Sequence, residues 1–238
     1  MSPLLRSYLA ADKMNLTQCL ELASKTSGRV TGIKIHSLWD EEGPGVVKKL
    51  QDAGAGSVWV DLKLNDIPET VALRAKAVRE AGADTLTIMA SGEIDMMLAA
   101  KEHGPLFVFA VTVLTTLDDA EVEAMYAKTP KAAALYFARL ARLAGVNGVV
   151  CSAKEVGTLK KRRELRGIEF VTPGTRSPGE ETHDQKRVDT PANALKNGTS
   201  IFVFGRQVTQ AQDLMAALDK LDAELSAAEM EMLARKAA

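Results

Sequence analysis

Short apolar runs rich in β-branched and aromatic residues recur along the chain. They alternate with longer stretches whose apolar positions fall three and four apart. Residues 7–11, 30–35, 57–63, 85–89, 106–113, 148–151, 168–172 and 200–204 read as strands. Several are apolar at every position rather than at alternate ones, the pattern of strands covered on both faces, as in a parallel sheet. Between them, residues 16–26, 46–53, 71–81 and 132–144 read as amphipathic helices. Gly54, Gly82, Gly104 and Gly145 each stand between a helical stretch and the next strand, where a left-handed C-cap is predicted.

Eight strand-then-helix units without a linker predict one (β/α)8 TIM barrel, an α/β single domain over residues 1–238. A doubly wound open sheet is the alternative, but no glycine fingerprint follows the first strand. The helical pattern from Gln210 to about Ala237 predicts the eighth helix plus a C-terminal extension over about 222–238, with a frayed last turn.

The 46 % hydrophobic content supports one sizeable core, and a net charge of −1 gives no general attraction to polyanions. No basic run with interleaved aromatics appears, so no nucleic-acid partner is expected, and any phosphate must be bound locally. No signal peptide opens the chain, and no apolar run reaches the ~18 residues of a membrane span. A soluble cytoplasmic protein is the expectation. Cys19 and Cys151 lie in apolar contexts and read as buried thiols. His36, His103 and His183 are scattered, with no pair at ligand spacing, so no metal centre is expected. His103 reads as a cation at a helix C-terminus.

In a barrel of this kind the chemistry lies at the C-terminal ends of the strands. Asp12 follows the first strand, Lys34 lies at the end of the second, and Asp61 and Lys63 end the third. Thr115 follows the fifth, Pro173-Gly174-Thr175-Arg176 the seventh, and Gly205-Arg206 the eighth. Strand alternation points Asp61 and Lys63 to the same side. Charges crowded at a strand end cost desolvation energy, which marks them as functional candidates. Gly205 would let the backbone approach a phosphate, and Arg206 would add a bidentate contact. Residues 172–188 form a long polar loop with the composition of a flap, in which Arg176 and Gln185 would grip a ligand. Each feature also has a plain structural reading. Asp66-Ile67-Pro68-Glu69 has the spacing of a capping box, Lys34 would simply pair with an acid, and Arg206 would be a surface arginine.

The segment Asp61-x-Lys63-x-x-Asp66-Ile67-Pro68 resembles the DxKxxDIP signature of the orotidine 5′-phosphate decarboxylase family. The likeness runs from about residue 8 to residue 217. It includes Val111-Thr112-Val113-Leu114-Thr115, Val149-Val150-Cys151-Ser152, Val171-Thr172-Pro173-Gly174-Thr175-Arg176, Asp184-Gln185-Lys186-Arg187 and Gly205-Arg206-Gln207-Val208-Thr209, in the family's order. The resemblance implies a cofactor-free carboxy-lyase that converts orotidine 5′-monophosphate to UMP and CO2 in pyrimidine biosynthesis. It implies Lys63 as proton donor to C6, Asp61 beside the departing carboxylate, and Lys34 and Asp66 completing an alternating Lys–Asp–Lys–Asp array. It implies a homodimer in which Asp66 and Ile67 enter the neighbouring site. Asp12 and Lys34 would contact ribose hydroxyls, and Thr115 would lie near the base. Arg176, Gln185, Gly205 and Arg206 would bind phosphate or the closing loop, and Ile67, Thr70 and Pro173 would complete the substrate contacts.

Asn65 stands where histidine is common in the family, and Glu69 where asparagine is common. Met89-Ala90-Ser91-Gly92-Glu93 replaces a His-Ala-x-Gly-Gly pattern, a change expected to remove an imidazole near the charge network and add a carboxylate. Pro178 replaces a common glutamine. Mg²⁺-dependent barrel lyases, such as sugar-phosphate decarboxylases and hexulose-phosphate synthases, resemble the same DxKxxD element. The continuation Ile67-Pro68-Glu69-Thr70, Thr115 and the Arg176/Gln185 loop favour the nucleotide enzyme. A catalytically silent nucleotide-binding barrel is the competing class.

Overall fold

The computed structural model describes residues 2–179 and 189–237. Eight strands, β1 Ser7–Ala10, β2 Gly32–Ile35, β3 Val58–Leu64, β4 Thr85–Met89, β5 Phe107–Val111, β6 Gly148–Val150, β7 Glu169–Pro173 and β8 Ile201–Phe204, pair in chain order. Every pair is parallel, and β1 closes on β8 with Tyr8 opposite Val203. The predicted TIM barrel is thus the fold, and all eight predicted strands are present with ends that agree to within two residues.

The outer layer comprises α1 Leu16–Lys25, α2 Ser37–Glu42, α3 Val46–Asp52, α4 Pro68–Glu80, α5 Glu93–His103 and α6 Asp119–Tyr126. It continues with α7 Pro130–Leu143, α8 Ala153–Lys160, α9 Pro191–Asn197, α10 Arg206–Thr209 and α11 Leu214–Ala237. Local chemistry sets several starts. Asn15 with Gln18, Asp118 with Glu121, and Ser152 with Glu155 form reciprocal capping boxes on α1, α6 and α8. Proline opens α4, α7 and α9, where a missing N–H costs nothing.

Gly54 (φ 110°), Gly82 (φ 84°) and Gly145 (φ 70°) adopt the left-handed conformation expected after α3, α4 and α7. Gly104 does not: its φ is −78°. It is glycine because a Cβ there would lie 2.4 Å from the Ala100 carbonyl oxygen. His103 occupies the last turn of α5, as the sequence suggested.

Strand alternation divides the core in two. Leu9, Ile33, Ile35, Val58, Val60, Leu86, Ile88 and Val108 pack outward beneath the helices. Tyr8, Ala10, Trp59, Phe109, Val171 and Val203 pack inside the barrel. There Trp59 meets Tyr8 edge-on (ring centroids 5.2 Å apart, 82°) and Phe109 likewise (5.3 Å, 76°). Burying rings of this size stabilises the fold by about 1.5–3 kcal/mol each. Their polar ends are satisfied: Trp59 Nε1 donates to Thr87 Oγ1 at 2.6 Å, and Tyr8 Oη bonds Ser57 Oγ at 3.1 Å.

The C-terminal segment differs from the continuous helix expected from Gln210. It breaks after α10, and Asp213 restarts it by accepting from the Met215 and Ala216 N–H groups, both at 3.0 Å. Beyond residue 222, α11 remains packed, with Leu225 and Ala228 buried, Arg6 paired to Glu229 at 2.8 Å and Lys196 to Glu231 at 2.6 Å. The last turn, expected to fray, is helical through Ala237. Cys19 and Cys151 are buried and not disulfide-bonded. Burial, followed by the charge of Glu41, pushes the Cys19 thiol up to about 11. Among the described residues no helix is long and apolar enough to cross a membrane.

Candidate active site

A cavity of about 620 Å³ opens at the C-terminal ends of the strands. Its floor includes Trp59 and Thr87, and its wall carries Asp12, Lys34, Asp61 and Lys63. Lys34 Nζ and Lys63 Nζ each lie 2.8 Å from the same oxygen, Asp61 Oδ2. The side chains of Lys34 and Asp61 are only 9 % and 7 % exposed, whereas that of Lys63 is 41 % exposed. One carboxylate is therefore clamped between a buried ammonium and one that faces the open cavity.

The backbone arranges this convergence. The β3–β4 register shifts between Val60 and Leu64, and Lys63 has φ 49°, in the left-handed region. Such a bulge re-aims a side chain at a strand end. A non-glycine residue there costs of order 1 kcal/mol, a strain that clusters at functional sites.

Asp12 lies two residues beyond β1. Its Oδ1 is 3.3 Å from Lys34 Nζ and 3.2 Å from His36 Nε2. Burial would raise the Asp12 carboxyl, but the His36 hydrogen bond and the Lys34 charge lower it to about 2. Burial would likewise raise Asp61; Lys34 and Lys63 override it and hold that carboxyl well below the usual range. Burial would lower Lys34, yet the charges of Asp61 and Asp12 hold it above its ordinary value. At neutral pH Asp12, Asp61 and Lys34 are therefore ionised.

A further part of the rim is built by neighbouring strands β7 and β8, which bring Pro173, Gly174 and Arg176 to the cavity beside Gly205 and Arg206. Arg176 is buried, with Nη1 donating to the Thr175 carbonyl at 2.8 Å and its backbone N–H to the Asp189 carbonyl at 3.1 Å. Glu224 of α11 accepts from Ser177 Oγ at 2.7 Å and from the Ala192 N–H at 3.2 Å, tying both stems of this loop to the C-terminal helix. Thr115 also lines the cavity. Gln185 and His183 fall outside the described residues.

Three candidates do not line the cavity: Asp66, Ile67 and Thr70. Asp66 is exposed, and its Oδ1 accepts from the Ile67 N–H at 2.7 Å. The capping box suggested by the Asp66–Glu69 spacing does not form. Pro68 is the first helical residue, so the N-cap position of α4 falls on Ile67, whose side chain has no atom able to accept a capping bond. Ile67 itself is 65 % exposed. A single chain thus assembles Lys34, Asp61 and Lys63, with Asp66 outside the array.

The carboxylate expected to join the charge network does not do so. Glu93 lies outside the cavity and accepts from Tyr136 Oη at 3.3 Å. Sequence reasoning missed Lys13, His36, Trp59, Thr87 and Gln210 as lining residues. Alternation offered a signal for Trp59, which lies two residues before Asp61 on the same face of β3. Among the described residues no three His, Cys, Asp or Glu side chains gather as metal ligands.

Residues 7–221 match the model of the Orotidine 5′-phosphate decarboxylase / HUMPS family. The chain belongs to this family. The orotidine 5′-phosphate decarboxylase of Teredinibacter turnerae is 40 % identical over 219 residues, 88 % of this chain and 92 % of that protein. That of Saccharophagus degradans is 40 % identical over 232 residues, covering 93 % and 95 %. The crystal structure of orotidine 5′-phosphate decarboxylase from Lactobacillus acidophilus superposes with a TM-score of 0.76 at 29 % identity, covering 92 % of this chain and 98 % of that one. Family membership thus matches the resemblance carried by the DxKxxDIP segment, and the fold extends the likeness to nearly the whole barrel.

Proposed function

We propose that this chain is a carboxy-lyase that converts orotidine 5′-monophosphate to UMP and CO2 in the cytoplasm, as a step of pyrimidine biosynthesis, without a cofactor. The observation that carries this reading is the pair of ammonium groups sharing Asp61 Oδ2 at 2.8 Å in a cavity rimmed by Arg176 and Arg206. Breaking the bond between C6 and the carboxylate leaves an electron pair on C6, with no resonance sink. Of the two lysines on Asp61, Lys63 has the more exposed side chain. Its fixed charge stabilises the developing carbanion, and its proton then goes to C6, leaving an amine that solvent reprotonates. Asp61 stays ionised between its two lysines and repels the substrate carboxylate, so departure of CO2 relieves that contact.

Phosphate binding by Arg206, Gly205, Arg176 and Gln185 anchors the remote end of the nucleotide. Its binding energy serves the chemistry at C6. Asp12 and Lys34 receive the ribose, Thr115 lies by the base, and Pro173 completes the wall. Asp66, Ile67 and Thr70 act on the site of a neighbouring subunit in a homodimer. Support comes from the exposure of Asp66 and Ile67 beside an array that lacks its fourth charge.

The test is to add orotidine 5′-monophosphate to the purified protein in EDTA and follow the fall in pyrimidine ultraviolet absorbance. Sustained turnover is expected. Binding without turnover would favour a silent nucleotide-binding barrel. Mg²⁺-dependent turnover of a sugar phosphate instead would assign the chain to another activity.

A further inference from the structure

We propose that His36 is a positioning residue that fixes Asp12 as the acceptor for the vicinal hydroxyls of the nucleotide's ribose, and so sets selectivity for a ribonucleotide. This rests on the nucleotide reading of the same cavity. His36 follows β2 and lines the cavity. Its Nδ1 accepts from the Ser37 N–H at 2.6 Å, so that nitrogen carries no hydrogen. The remaining ring hydrogen therefore sits on Nε2, 3.2 Å from Asp12 Oδ1. A backbone contact thus dictates the tautomer, and the tautomer dictates a donor aimed at Asp12.

Lys34 reaches the same Oδ1 at 3.3 Å, but it is also held at 2.8 Å by Asp61. It cannot swing to follow Asp12. His36 is the second hold on that oxygen. Among the described residues no hydrogen bond reaches Asp12 Oδ2. A carboxylate with one oxygen pinned by two donors and the other left open on a cavity wall suits a diol, which offers two O–H donors to one acceptor group. A freely rotating aspartate would lose conformational entropy on binding the same diol; here that ordering precedes the ligand.

The experiment compares UMP with 2′,3′-dideoxy-UMP by calorimetry on wild type, His36→Ala and His36→Gln. His36→Ala should bind UMP about tenfold more weakly, the effect of losing a hydrogen bond to a charged group. Its affinity for the dideoxy ligand should stay within about twofold of wild type on the same grounds. His36→Gln, whose amide N–H reaches the position of Nε2, should restore most of the UMP affinity. The His36 side chain is 42 % exposed, so both variants should fold, and equal melting temperatures would verify it. Equal losses for both ligands, or none for either, would overturn the role of His36 while leaving the nucleotide reading standing. A wild-type protein that binds no UMP would bring down both.

Discussion

Replacing Asp61 by Asn tests whether the charged array stores the energy that its geometry implies. The change removes the anion between Lys34 and Lys63 while keeping the shape. Lys34, 9 % exposed, then retains only the half-exposed Asp12 at 3.3 Å. The amide oxygen of an asparagine can take the place of Oδ2 and accept from both ammoniums, but it carries no charge to neutralise them. Removing one partner of a buried pair costs about 3–5 kcal/mol. Asp12 offsets part of this, so the lower figure is expected, and a protein of this size should melt about 6–12 °C lower at pH 7. The pH dependence carries a definite sign. In the wild type Lys34 is held above its ordinary value, so its contribution is present in full below about pH 10.4 and is lost only as pH rises through the raised folded value. In the variant, burial without Asp61 lowers the folded value, and the unfolded chain binds more protons. The variant's stability should therefore climb as pH rises towards the unfolded lysine value of about 10.4, and its gap to wild type should narrow. Thermal melts of both proteins over that rise measure it. An unchanged melting temperature at pH 7, or a gap that does not change with pH, would refute this account of the array. Replacing the pair together, Lys34→Met with Asp61→Leu, should recover most of the lost stability while abolishing turnover.

Three further outcomes are expected. Lys63→Ala and Asp66→Ala should each be inactive yet folded, and mixing them under subunit exchange should restore activity, because one hybrid site keeps both residues; no recovery despite verified exchange would exclude a shared site. Arg206→Ala should lower kcat/KM about thirtyfold or more, equivalent to about 2 kcal/mol from a charge-assisted phosphate contact, and unchanged steady-state kinetics would remove Arg206 from phosphate binding. Gly32→Ala would bring a Cβ to 1.9 Å from the Ser57 carbonyl oxygen between paired strands β2 and β3, so a loss above about 4 kcal/mol is expected in urea unfolding, and a wild-type midpoint would contradict the packing.

The barrel was legible because each strand announces itself twice, by an apolar run and by the helix that follows. The cavity was legible to the extent that its residues sit at strand ends: Asp12, Lys34, Asp61, Lys63, Thr115, Pro173, Arg176, Gly205 and Arg206 all meet there. What failed was chemistry with more than one local solution. Asp66-Ile67-Pro68-Glu69 fits a capping box by spacing, but the proline fixes the first helical residue and shifts the N-cap to Ile67. Gly104 looked like a left-handed cap, and only the approach of Ala100 shows its real constraint. Glu93 lies near the array in sequence order, yet Tyr136, from a distant helix, captures it. Neither the left-handed turn at Lys63 nor the fixed tautomer of His36 has a one-dimensional signature, because both arise from contacts that only the folded barrel creates.

The edge-to-face rings of Tyr8, Trp59 and Phe109 have one more consequence. Trp59 faces the upper cavity, while Phe109 borders a separate hollow at the opposite end of the barrel. Among the described residues this plug stands between the two hollows, so a ligand in the upper one has no route along the barrel axis. On the proposed reading, reactant, CO2 and product would all pass through the mouth at the C-terminal ends of the strands.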